Sequence, residues 1–334
     1  MSWKILITAS AFANTGQRAR QILGDAGCEV ASSPKLNTLS PDGLANSLSG
    51  TDGLLAGLDL CSPAILDSSA AANLKIISRW GVGYDSIDVA AATCNGIVVC
   101  NTPRLLDEAV ADYTFALLLG LARRVPEATQ AVRAGQWTQM WGTDLGGKTL
   151  GLIGCGRIGL AVARRASGFN LRLLAYDPMP HPEAQKFGVS FVPLDTLLAE
   201  SDFVSLHAAL TPQSRGLVGE SQLRKMKQSA RLVNAARGAL INESALARAL
   251  KEGWIAGAAL DVFETEPLPA ESPLRDAPNL LFSPHQSSFA LETGERVSLV
   301  ATQAILDLMR GRRPQHVVNP EVFSSPGLRA RLNP

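Results

Sequence analysis

Three residues that could carry acid–base chemistry each follow a short apolar segment in the second half of the sequence. Arg237 follows LVNAA, Glu266 lies shortly after GAALDV, and His285 comes directly after LLFSP. If these segments are parallel strands, the three residues lie at one sheet edge, where α/β proteins bind ligands. Arginine binds carboxylates, histidine donates protons near neutral pH, and a carboxylate can orient an imidazole. The trio therefore indicates proton donation to a 2-oxo acid during its reduction.

Each of the three residues also has a purely structural interpretation. Arg237 could form an ordinary surface ion pair, and Glu266 could be solvated in a charged loop with Glu264. His285 could be a hydrogen-bonded histidine without a chemical role. When the three residues are considered one at a time, their residue types do not decide between a chemical and a structural role.

The other histidines indicate no second reaction. We expect His207, which follows the apolar segment DFVSL, to line a cofactor pocket, and we expect His181 and His316 to be exposed. No spacing of histidines, cysteines or carboxylates in the sequence indicates a metal site. The G-x-S-x-G and Cys–His patterns that are typical of hydrolases are also absent from the sequence.

A glycine-rich segment, LGLIGCGRIG, predicts a dinucleotide site. Gly154, Gly156 and Gly159 fit the pattern G-x-G-x-x-G between a predicted strand and a predicted helix. The first glycine allows a tight turn, the second lets a diphosphate approach the backbone, and the third lets helix and strand pack closely. Asp177 ends the next strand, 18 residues beyond Gly159, where an acidic residue binds ribose hydroxyls and repels a 2′-phosphate. We therefore expect NAD rather than NADP.

A second phosphate-binding pattern lies just before this segment and is rejected. GTDLGGKT, residues 142–149, matches the P-loop pattern G-x-x-x-x-G-K-[ST]. A P-loop must follow a strand and open a helix, so that its backbone N–H groups face the phosphates. This match instead precedes the predicted strand TLGLIG, and we expect no nucleoside triphosphate site there.

The composition describes a globular protein without a marked charge bias. Hydrophobic residues make up 46% of the 334 residues and the net charge is +1, which gives no indication of nucleic-acid binding. The apolar run after Lys4 is short, and no segment has the length of a membrane span, so we expect neither export nor a membrane anchor. Five scattered cysteines without a C-x-x-C pair suggest reduced thiols and a cytoplasmic location.

Alternating strand and helix patterns predict an α/β fold with two Rossmann-like, doubly wound parallel-sheet domains. We expect residues 105–287 to form the NAD-binding Rossmann domain. A long helix is predicted from Leu106 to about Arg133, interrupted at Pro126, and its apolar stretch from Phe115 to Leu121 suggests burial against another domain or subunit. The last long helix should return to the first domain, which would make residues 1–104 and 288–334 one discontinuous domain.

Six motifs together resemble the D-isomer-specific 2-hydroxyacid dehydrogenases, and phosphoglycerate dehydrogenases in particular. The resemblance extends from about residue 50 to residue 318, and its motifs are RWGVGYDSIDV, NTP, GKTLGLIGCGRIG, NAARGALIN, GAALDVFETEPL and SPHQSS. It implies that the discontinuous domain is a flavodoxin-like, substrate-binding domain. It also implies a homodimer joined through the NAD-binding domains, which would account for the apolar helix.

The resemblance assigns roles to residues of each motif. The catalytic residues it implies are Arg237, Glu266 and His285. The cofactor-binding residues it implies are Gly154, Gly156, Arg157, Ile158, Gly159, Asp177, His207, Ala208, Ala235, Ala236 and Asp261. The substrate-binding residues it implies are Arg79, Trp80, Gly81, Val82, Gly83, Asn101 and Arg237.

The implied activity is NAD-dependent interconversion of a small, anionic 2-oxo acid and its D-2-hydroxy acid. Phosphohydroxypyruvate and 3-phosphoglycerate are the leading substrate pair, and reduction of hydroxypyruvate, glyoxylate or another anionic 2-oxo acid is the alternative. A different class of function is an NAD-sensing binding protein that resembles the corepressors of the family. The complete set of Arg237, Glu266 and His285 favours an enzyme.

Two departures from the family pattern bear on the substrate. Ser287 replaces the glycine that usually follows the catalytic histidine by two positions. Gly57 and Leu58 occupy the loop where phosphoglycerate dehydrogenases commonly carry a basic residue for the phosphate, although Arg79 or Arg104 could substitute. The sequence therefore leaves the phosphorylated substrate open.

Overall fold

The structure, a computed structural model, describes residues 2–33 and 40–333. These residues form two compact units. Unit 1 comprises the described residues up to Leu106 and those from Phe289 onward, and unit 2 comprises Asp107–Ser288. Unit 1 is therefore discontinuous in the chain. The outermost residues of the predicted domains, Met1 and Pro334, lie outside the described residues.

Twelve strands lie within the described residues, and every pairing between them is parallel. They are β1 (Lys4–Ile7), β2 (Glu29–Ser32), β3 (Gly53–Ala56), β4 (Ile76–Arg79), β5 (Val98–Cys100), β6 (Thr149–Ile153), β7 (Arg172–Tyr176), β8 (Val189–Phe191), β9 (Phe203–Leu206), β10 (Arg231–Asn234), β11 (Gly257–Leu260) and β12 (Leu280–Phe282).

Twelve α-helices connect or flank these strands in the described part of the chain. They are α1 (Phe12–Thr15), α2 (Gln17–Asp25), α3 (Pro41–Leu48), α4 (Pro63–Leu66), α5 (Val89–Cys94), α6 (Asp107–Arg123), α7 (Val125–Arg133), α8 (Arg157–Ala166), α9 (Leu194–Glu200), α10 (Glu220–Leu223), α11 (Glu243–Lys251) and α12 (Leu291–Met309).

The sheet of unit 2 has the order β12-β11-β10-β9-β6-β7-β8. The chain starts at β6, runs outward to β8, and then returns to β9 on the other side of β6. This reversal creates a crevice at the carboxyl ends of β6 and β9, where doubly wound sheets bind ligands. Both strands are buried along their whole length, as expected for the centre of a parallel sheet covered on both faces.

The sheet of unit 1 has the order β2-β1-β3-β4-β5, which is the flavodoxin-like strand order. Helix α12 completes this unit although it lies almost 200 residues beyond β5 in the chain. Its apolar face, which includes Val297, Ala301 and Ile305, is fully buried and packs against α2 and β4. The Ser78 hydroxyl on β4 donates to the Ala301 carbonyl at 2.8 Å, so the helix is also tied to the sheet by a hydrogen bond.

The long helix predicted from Leu106 to about Arg133 is two helices, α6 and α7, and most of its apolar stretch is buried within unit 2. The break is at Arg124, whose left-handed φ of +55° ends α6. Phe115 and Leu118 are buried within unit 2, where α6 packs against α8, β10 and β11. Much of the stretch is therefore apolar because it covers a parallel sheet.

No helix in residues 2–33 and 40–333 combines the length and apolar character that a membrane span needs.

Candidate active site

The glycine-rich turn joins β6 to α8 and is built so that two of its glycines cannot carry a side chain. Gly154 has a φ of +90°, and a Cβ on it would lie 2.5 Å from the backbone nitrogen of Ala208. A Cβ on Gly159 would lie 2.5 Å from the Gly154 carbonyl oxygen. Both positions therefore serve the packing of the turn, as the motif predicts.

Gly156 has a different environment from the other two glycines. It caps the N-terminus of α8 with a φ of −73°, and no atom lies within 4 Å of a Cβ built on it. Gly156 and Arg157 are exposed, and Ile158 is partly exposed. The turn therefore presents open space and the unpaired N–H groups of a helix N-terminus, an arrangement that can hold a diphosphate.

Asp177 follows β7 and lies directly beside the turn. Its carboxylate accepts hydrogen bonds from the backbone N–H of Cys155 at 2.7 Å and of Met179 at 2.8 Å. The carbonyl of the preceding Tyr176 accepts from the Gly154 N–H at 2.8 Å. Each carboxylate oxygen has a further lone pair, so Asp177 can also accept hydrogen bonds from ribose hydroxyls.

His207 and Ala208 form the other side of the turn, because Gly154 packs against their peptide group. The His207 Nε2 atom lies 2.8 Å from the Ser205 hydroxyl. Burial lowers the pKa of His207 from 6.5 to about 4, since the charged imidazolium is poorly solvated there. His207 is therefore neutral near pH 7.

Arg237, Glu266 and His285 follow β10, β11 and β12, which are neighbours in the sheet. The structure brings Glu266 and His285 into direct contact, because Nδ1 of the imidazole lies 2.7 Å from Glu266 Oε2. The other oxygen of Glu266 accepts the Phe263 N–H at 2.9 Å, which fixes the carboxylate. Both side chains retain about a quarter of their exposure, at 23% for His285 and 26% for Glu266, so a small ligand can reach the pair.

The loop that carries Arg237 touches the loop that carries Glu266. A Cβ on Gly238 would lie 1.9 Å from the backbone carbon of Phe263, so the two loops pack backbone to backbone. The buried Asn234 holds the loop by donating to the Arg237 carbonyl at 2.8 Å and accepting the Ala236 N–H at 3.0 Å. The Arg237 Nη1 atom donates to the Ala236 carbonyl at 2.7 Å.

The backbone of His285 is in the left-handed region, with a φ of +52°, which is uncommon for a residue with a side chain. Asp261, at the end of β11, stabilises this conformation. Its carbonyl accepts the His285 N–H at 2.7 Å, and its buried carboxylate accepts the N–H groups of Gln286 at 2.9 Å and Ser287 at 2.8 Å. Asp261 thus contacts the histidine segment with both its backbone and its side chain.

Ser287 occupies a position that does not need glycine. Ser287 does not have the positive φ that would favour glycine. Its N–H donates to the Asp261 carboxylate. The left-handed residue of the segment is His285, two positions earlier. The departure from the usual glycine therefore leaves the loop intact.

In unit 1, the segment Arg79–Gly83 leaves β4 as a loop tied to the end of β5. Gly81 has a φ of +133°, and its N–H donates to the Thr102 hydroxyl at 2.9 Å. Asn101 donates from its side-chain amide to the Val82 carbonyl at 2.8 Å. The Asn101 side chain therefore orients the loop by a hydrogen bond to the loop's backbone.

Arg79 is buried beneath this loop, with 7% of its surface exposed. Its guanidinium donates to the carbonyl of Trp80, and a Cβ on Gly81 would lie 3.0 Å from its Nη1 atom. Trp80 is also buried and donates from its indole nitrogen to the Ser298 hydroxyl at 3.0 Å. The buried guanidinium of Arg79 thus lies under the loop and stabilises it by the hydrogen bond to Trp80.

Comparisons with known proteins agree with this arrangement. Residues 115–287 match the family model described as D-isomer specific 2-hydroxyacid dehydrogenase, NAD binding domain. The chain belongs to this family. A glyoxylate reductase of Korarchaeum cryptofilum is 49% identical over 260 residues, which cover 76% of this chain and 78% of that protein. Glyoxylate/hydroxypyruvate reductase B of Citrobacter koseri is 40% identical over 300 residues, covering 88% of this chain and 92% of that protein.

Solved structures give the same result for the fold. The TT0316 protein from Thermus thermophilus is 40% identical and superposes with a TM-score of 0.86, covering 94% of this chain and 99% of that chain. The predictions of the α/β fold class, an oxidoreductase of this family and NAD as cofactor are therefore confirmed. The narrower resemblance to phosphoglycerate dehydrogenases is not supported, since the relatives described above are named for glyoxylate and hydroxypyruvate.

Three polar residues of this dehydrogenase that sequence reasoning missed lie around Asp261. The Tyr113 hydroxyl on α6 lies 2.7 Å from the Ser283 hydroxyl and accepts a hydrogen bond from the Gln286 side chain at 2.7 Å. Ser283 in turn donates to the Asp261 carboxylate at 2.5 Å. The available signal was the phenol group of Tyr113, which lies two residues before the apolar stretch of the predicted helix. The described residues contain no group of histidines, cysteines and carboxylates that could hold a metal ion.

The different environments of the glycines make a testable prediction. Gly156→Ala should fold normally, because its Cβ enters open space, yet weaken NADH binding at least about tenfold, because the methyl group occupies the approach to the backbone. Gly154→Ala should instead lower the free energy of unfolding by about 2 kcal/mol or more, because of its φ and the clash with Ala208. Fluorescence titration with NADH and thermal unfolding measure the two effects. Unchanged NADH affinity in Gly156→Ala would contradict the assignment.

The low pKa of His207 predicts a specific acid sensitivity. Between pH 6.5 and about 4 the unfolded chain protonates this histidine and the folded chain does not, so the free energy of unfolding should fall as pH decreases through this range. The loss attributable to His207 should approach about 3 kcal/mol at pH 4. Denaturant unfolding of wild type and His207→Gln over this range measures it, and equal pH slopes in the two proteins would show that His207 is not the cause.

Proposed function

We propose that this dehydrogenase reduces glyoxylate to glycolate and hydroxypyruvate to D-glycerate. The names of the Korarchaeum cryptofilum and Citrobacter koseri relatives support these substrates. The observation that carries the chemistry is the hydrogen bond of 2.7 Å between His285 and Glu266 at the carboxyl edge of the sheet. This pair supplies a positioned acid for a carbonyl group, which is what reduction of a 2-oxo acid requires.

We assign the proton transfer to Nε2 of His285. Because Glu266 binds Nδ1, the other ring nitrogen is the one directed to the substrate. The Glu266 carboxylate fixes the ring orientation and stabilises the imidazolium that donates the proton. As the carbonyl carbon is reduced, its oxygen takes the proton from Nε2, and in the reverse direction the neutral imidazole accepts it from the hydroxyl group.

We assign the binding of the substrate carboxylate to Arg237. The guanidinium group can form two parallel hydrogen bonds to a carboxylate, which fixes both the position and the orientation of the acid. The loop around Arg237 suits this role because two contacts fix it. Asn234 donates a hydrogen bond to the Arg237 carbonyl, and Gly238 packs against the backbone of Phe263. A loop fixed in this way keeps the arginine at a constant position relative to the strand ends.

We assign NAD to the turn between β6 and α8. The diphosphate would bind at Gly156, Arg157 and Ile158, and the adenosine ribose would bind Asp177, whose charge disfavours a 2′-phosphate. His207 and Ala208 would line the cofactor beside the turn, and Ala235, Ala236 and Asp261 would lie near the nicotinamide. The cofactor, when bound as NADH, would supply the hydride for reduction. The tight packing at Gly154 and the open space at Gly156 are the features that support this assignment.

The loops of unit 1 favour a substrate without a phosphate group. The Gly57 N–H donates to the Thr8 hydroxyl at 3.1 Å and to the Asp59 carboxylate at 3.2 Å. Asp59 is buried beside Gly57 and Leu58, the positions where phosphoglycerate dehydrogenases commonly carry a basic residue, so this loop holds a carboxyl group and no cation. A phosphate would meet electrostatic repulsion there. The backbone N–H groups of Val82 and Gly83 are neutral donors that suit a carboxylate rather than a phosphate, whereas those of Trp80 and Gly81 donate to the Ala56 carbonyl and the Thr102 hydroxyl.

An NADH oxidation assay with a panel of 2-oxo acids tests the substrate. We expect turnover of glyoxylate and hydroxypyruvate, with kcat/KM for phosphohydroxypyruvate at least about tenfold lower. His285→Asn should lower kcat about 10²- to 10⁴-fold and leave NADH affinity nearly unchanged, because it removes the acid and not the cofactor site. His316→Asn, at a histidine without an assigned role, is the matched control.

Three outcomes of the assay would contradict the proposal. A higher kcat/KM for phosphohydroxypyruvate than for glyoxylate and hydroxypyruvate would show that the preferred substrate is phosphorylated. NADH binding without turnover of any 2-oxo acid would indicate an NAD-sensing binding protein. Wild-type kcat in His285→Asn would remove this histidine from the mechanism.

We propose that the enzyme forms a homodimer through unit 2, the NAD-binding domain, and that the segment after α7 contributes to the contact. Trp137 and Trp141, in the coil after α7, are 87% and 95% exposed, and Val125 and Val132 on α7 are each 54% exposed. Exposed tryptophans in one segment are a feature of protein interfaces, where they bury a large apolar area. A second copy of this chain is the occupant that we propose for this surface.

Sedimentation of a variant with both Trp137→Ser and Trp141→Ser tests the dimer. Wild type should sediment at twice the mass of the chain, and the double variant should shift towards the monomer because the apolar anchors are lost. Met179→Ser, at an apolar residue of unit 2 that is 83% exposed, should remain dimeric. A monomeric wild type would contradict the dimer, and a dimeric double variant would exclude this surface.

We also infer a cytoplasmic location, because the five cysteines are free thiols. Burial raises the pKa of Cys61 and Cys100 to about 12 and that of Cys155 to about 11, so these thiols are poorly reactive. Cell fractionation that found the enzyme outside the cytoplasm would contradict this inference.

A further inference from the structure

A chain of hydrogen bonds under the His285 segment connects it to helix α6. The Gln286 side-chain amide donates to the Tyr113 oxygen at 2.7 Å, and this oxygen lies 2.7 Å from the Ser283 hydroxyl. Ser283 contacts the Asp261 carboxylate at 2.5 Å. The chain ends on a side chain with no exposed surface, since Asp261 is fully buried.

The chemistry of the groups fixes the direction of every hydrogen bond in this chain. An ionised carboxylate only accepts, so the Ser283 hydroxyl donates its single proton to Asp261. Ser283 must then accept from Tyr113, whose own proton is used in this bond. Tyr113 can in turn accept from the Gln286 amide, which is a donor. Each hydroxyl proton of this chain therefore has an acceptor, and neither hydroxyl group is left to rotate.

The two residues that Tyr113 bridges lie on either side of His285. Ser283 is two positions before the histidine and Gln286 is one position after it, so one phenol oxygen spans the left-handed residue. The backbone N–H groups of His285 and Gln286 are bound by Asp261 in addition. An unfavourable backbone conformation persists only where its surroundings impose it, and here both sides of the residue are held.

We propose that Tyr113 is a positioning residue for His285, acting through Ser283 and Gln286. Its hydroxyl group keeps the segment in the conformation that directs the imidazole to Glu266, and so keeps the acid in place for the substrate carbonyl. The tyrosine ring packs partly buried against the core of unit 2, and this packing does not depend on the hydroxyl. The inference rests on the proposed role of His285 in proton transfer.

Removal of the hydroxyl group tests the inference. Tyr113→Phe keeps the ring and should lower kcat with glyoxylate about tenfold, with little change in the KM for NADH or in the melting temperature. Gln286→Met should have a similar effect, and the double variant should lose no more than the larger single effect, because both changes open the same bridge. Thr114→Val removes the neighbouring buried hydroxyl, which donates to the Val110 carbonyl within α6, and should keep wild-type kcat.

Amide hydrogen exchange of residues 285–287 gives a readout that does not depend on the substrate. Tyr113→Phe should accelerate this exchange about tenfold relative to wild type and to Thr114→Val, even if the proposed substrates fail. Wild-type exchange or kcat in Tyr113→Phe would overturn the positioning role. The positioning role would also be overturned if the effects of Tyr113→Phe and Gln286→Met on kcat multiplied in the double variant. A melting temperature that falls in parallel with kcat would have the same consequence.

Discussion

The hydrogen bond between His285 and Glu266 is the interaction on which the chemistry proposed for unit 2 depends. It requires β11 and β12 to be neighbours in a parallel sheet, so that residues beyond their ends meet at one edge. It also requires a histidine backbone that a free chain would avoid. The second requirement explains why a fully buried carboxylate, Asp261, lies under the segment, since its hydrogen bonds offset the unfavourable conformation.

Much of this arrangement could be predicted from the sequence, because its determinants are local. Strands β10, β11 and β12 are short apolar segments, and the polar residues that end them stand out. The glycine-rich turn is equally readable, because a positive φ at Gly154 and the contact of Gly159 with Gly154 exclude side chains. The return of α12 to unit 1 follows from its one apolar face, which needs a sheet to cover.

Features set by distant contacts could not be predicted in this way. The edge strands β2 and β8 were missed because they are short and partly exposed, with no apolar run. The apolar stretch around Phe115 suggested a subunit surface, since a sequence does not show whether a helix covers its own sheet or another chain. The bond from Tyr113 to Ser283 joins residues 170 positions apart, and no spacing rule connects them.

The discontinuity of unit 1 has a consequence for the order in which the chain is made. Helix α12 contributes buried residues and the Ser298 hydroxyl that binds Trp80, so the core of unit 1 is incomplete until the ribosome has delivered Met309. Unit 2 has all its residues once Ser288 has emerged. The half of the protein whose synthesis begins first is therefore the half that is completed last.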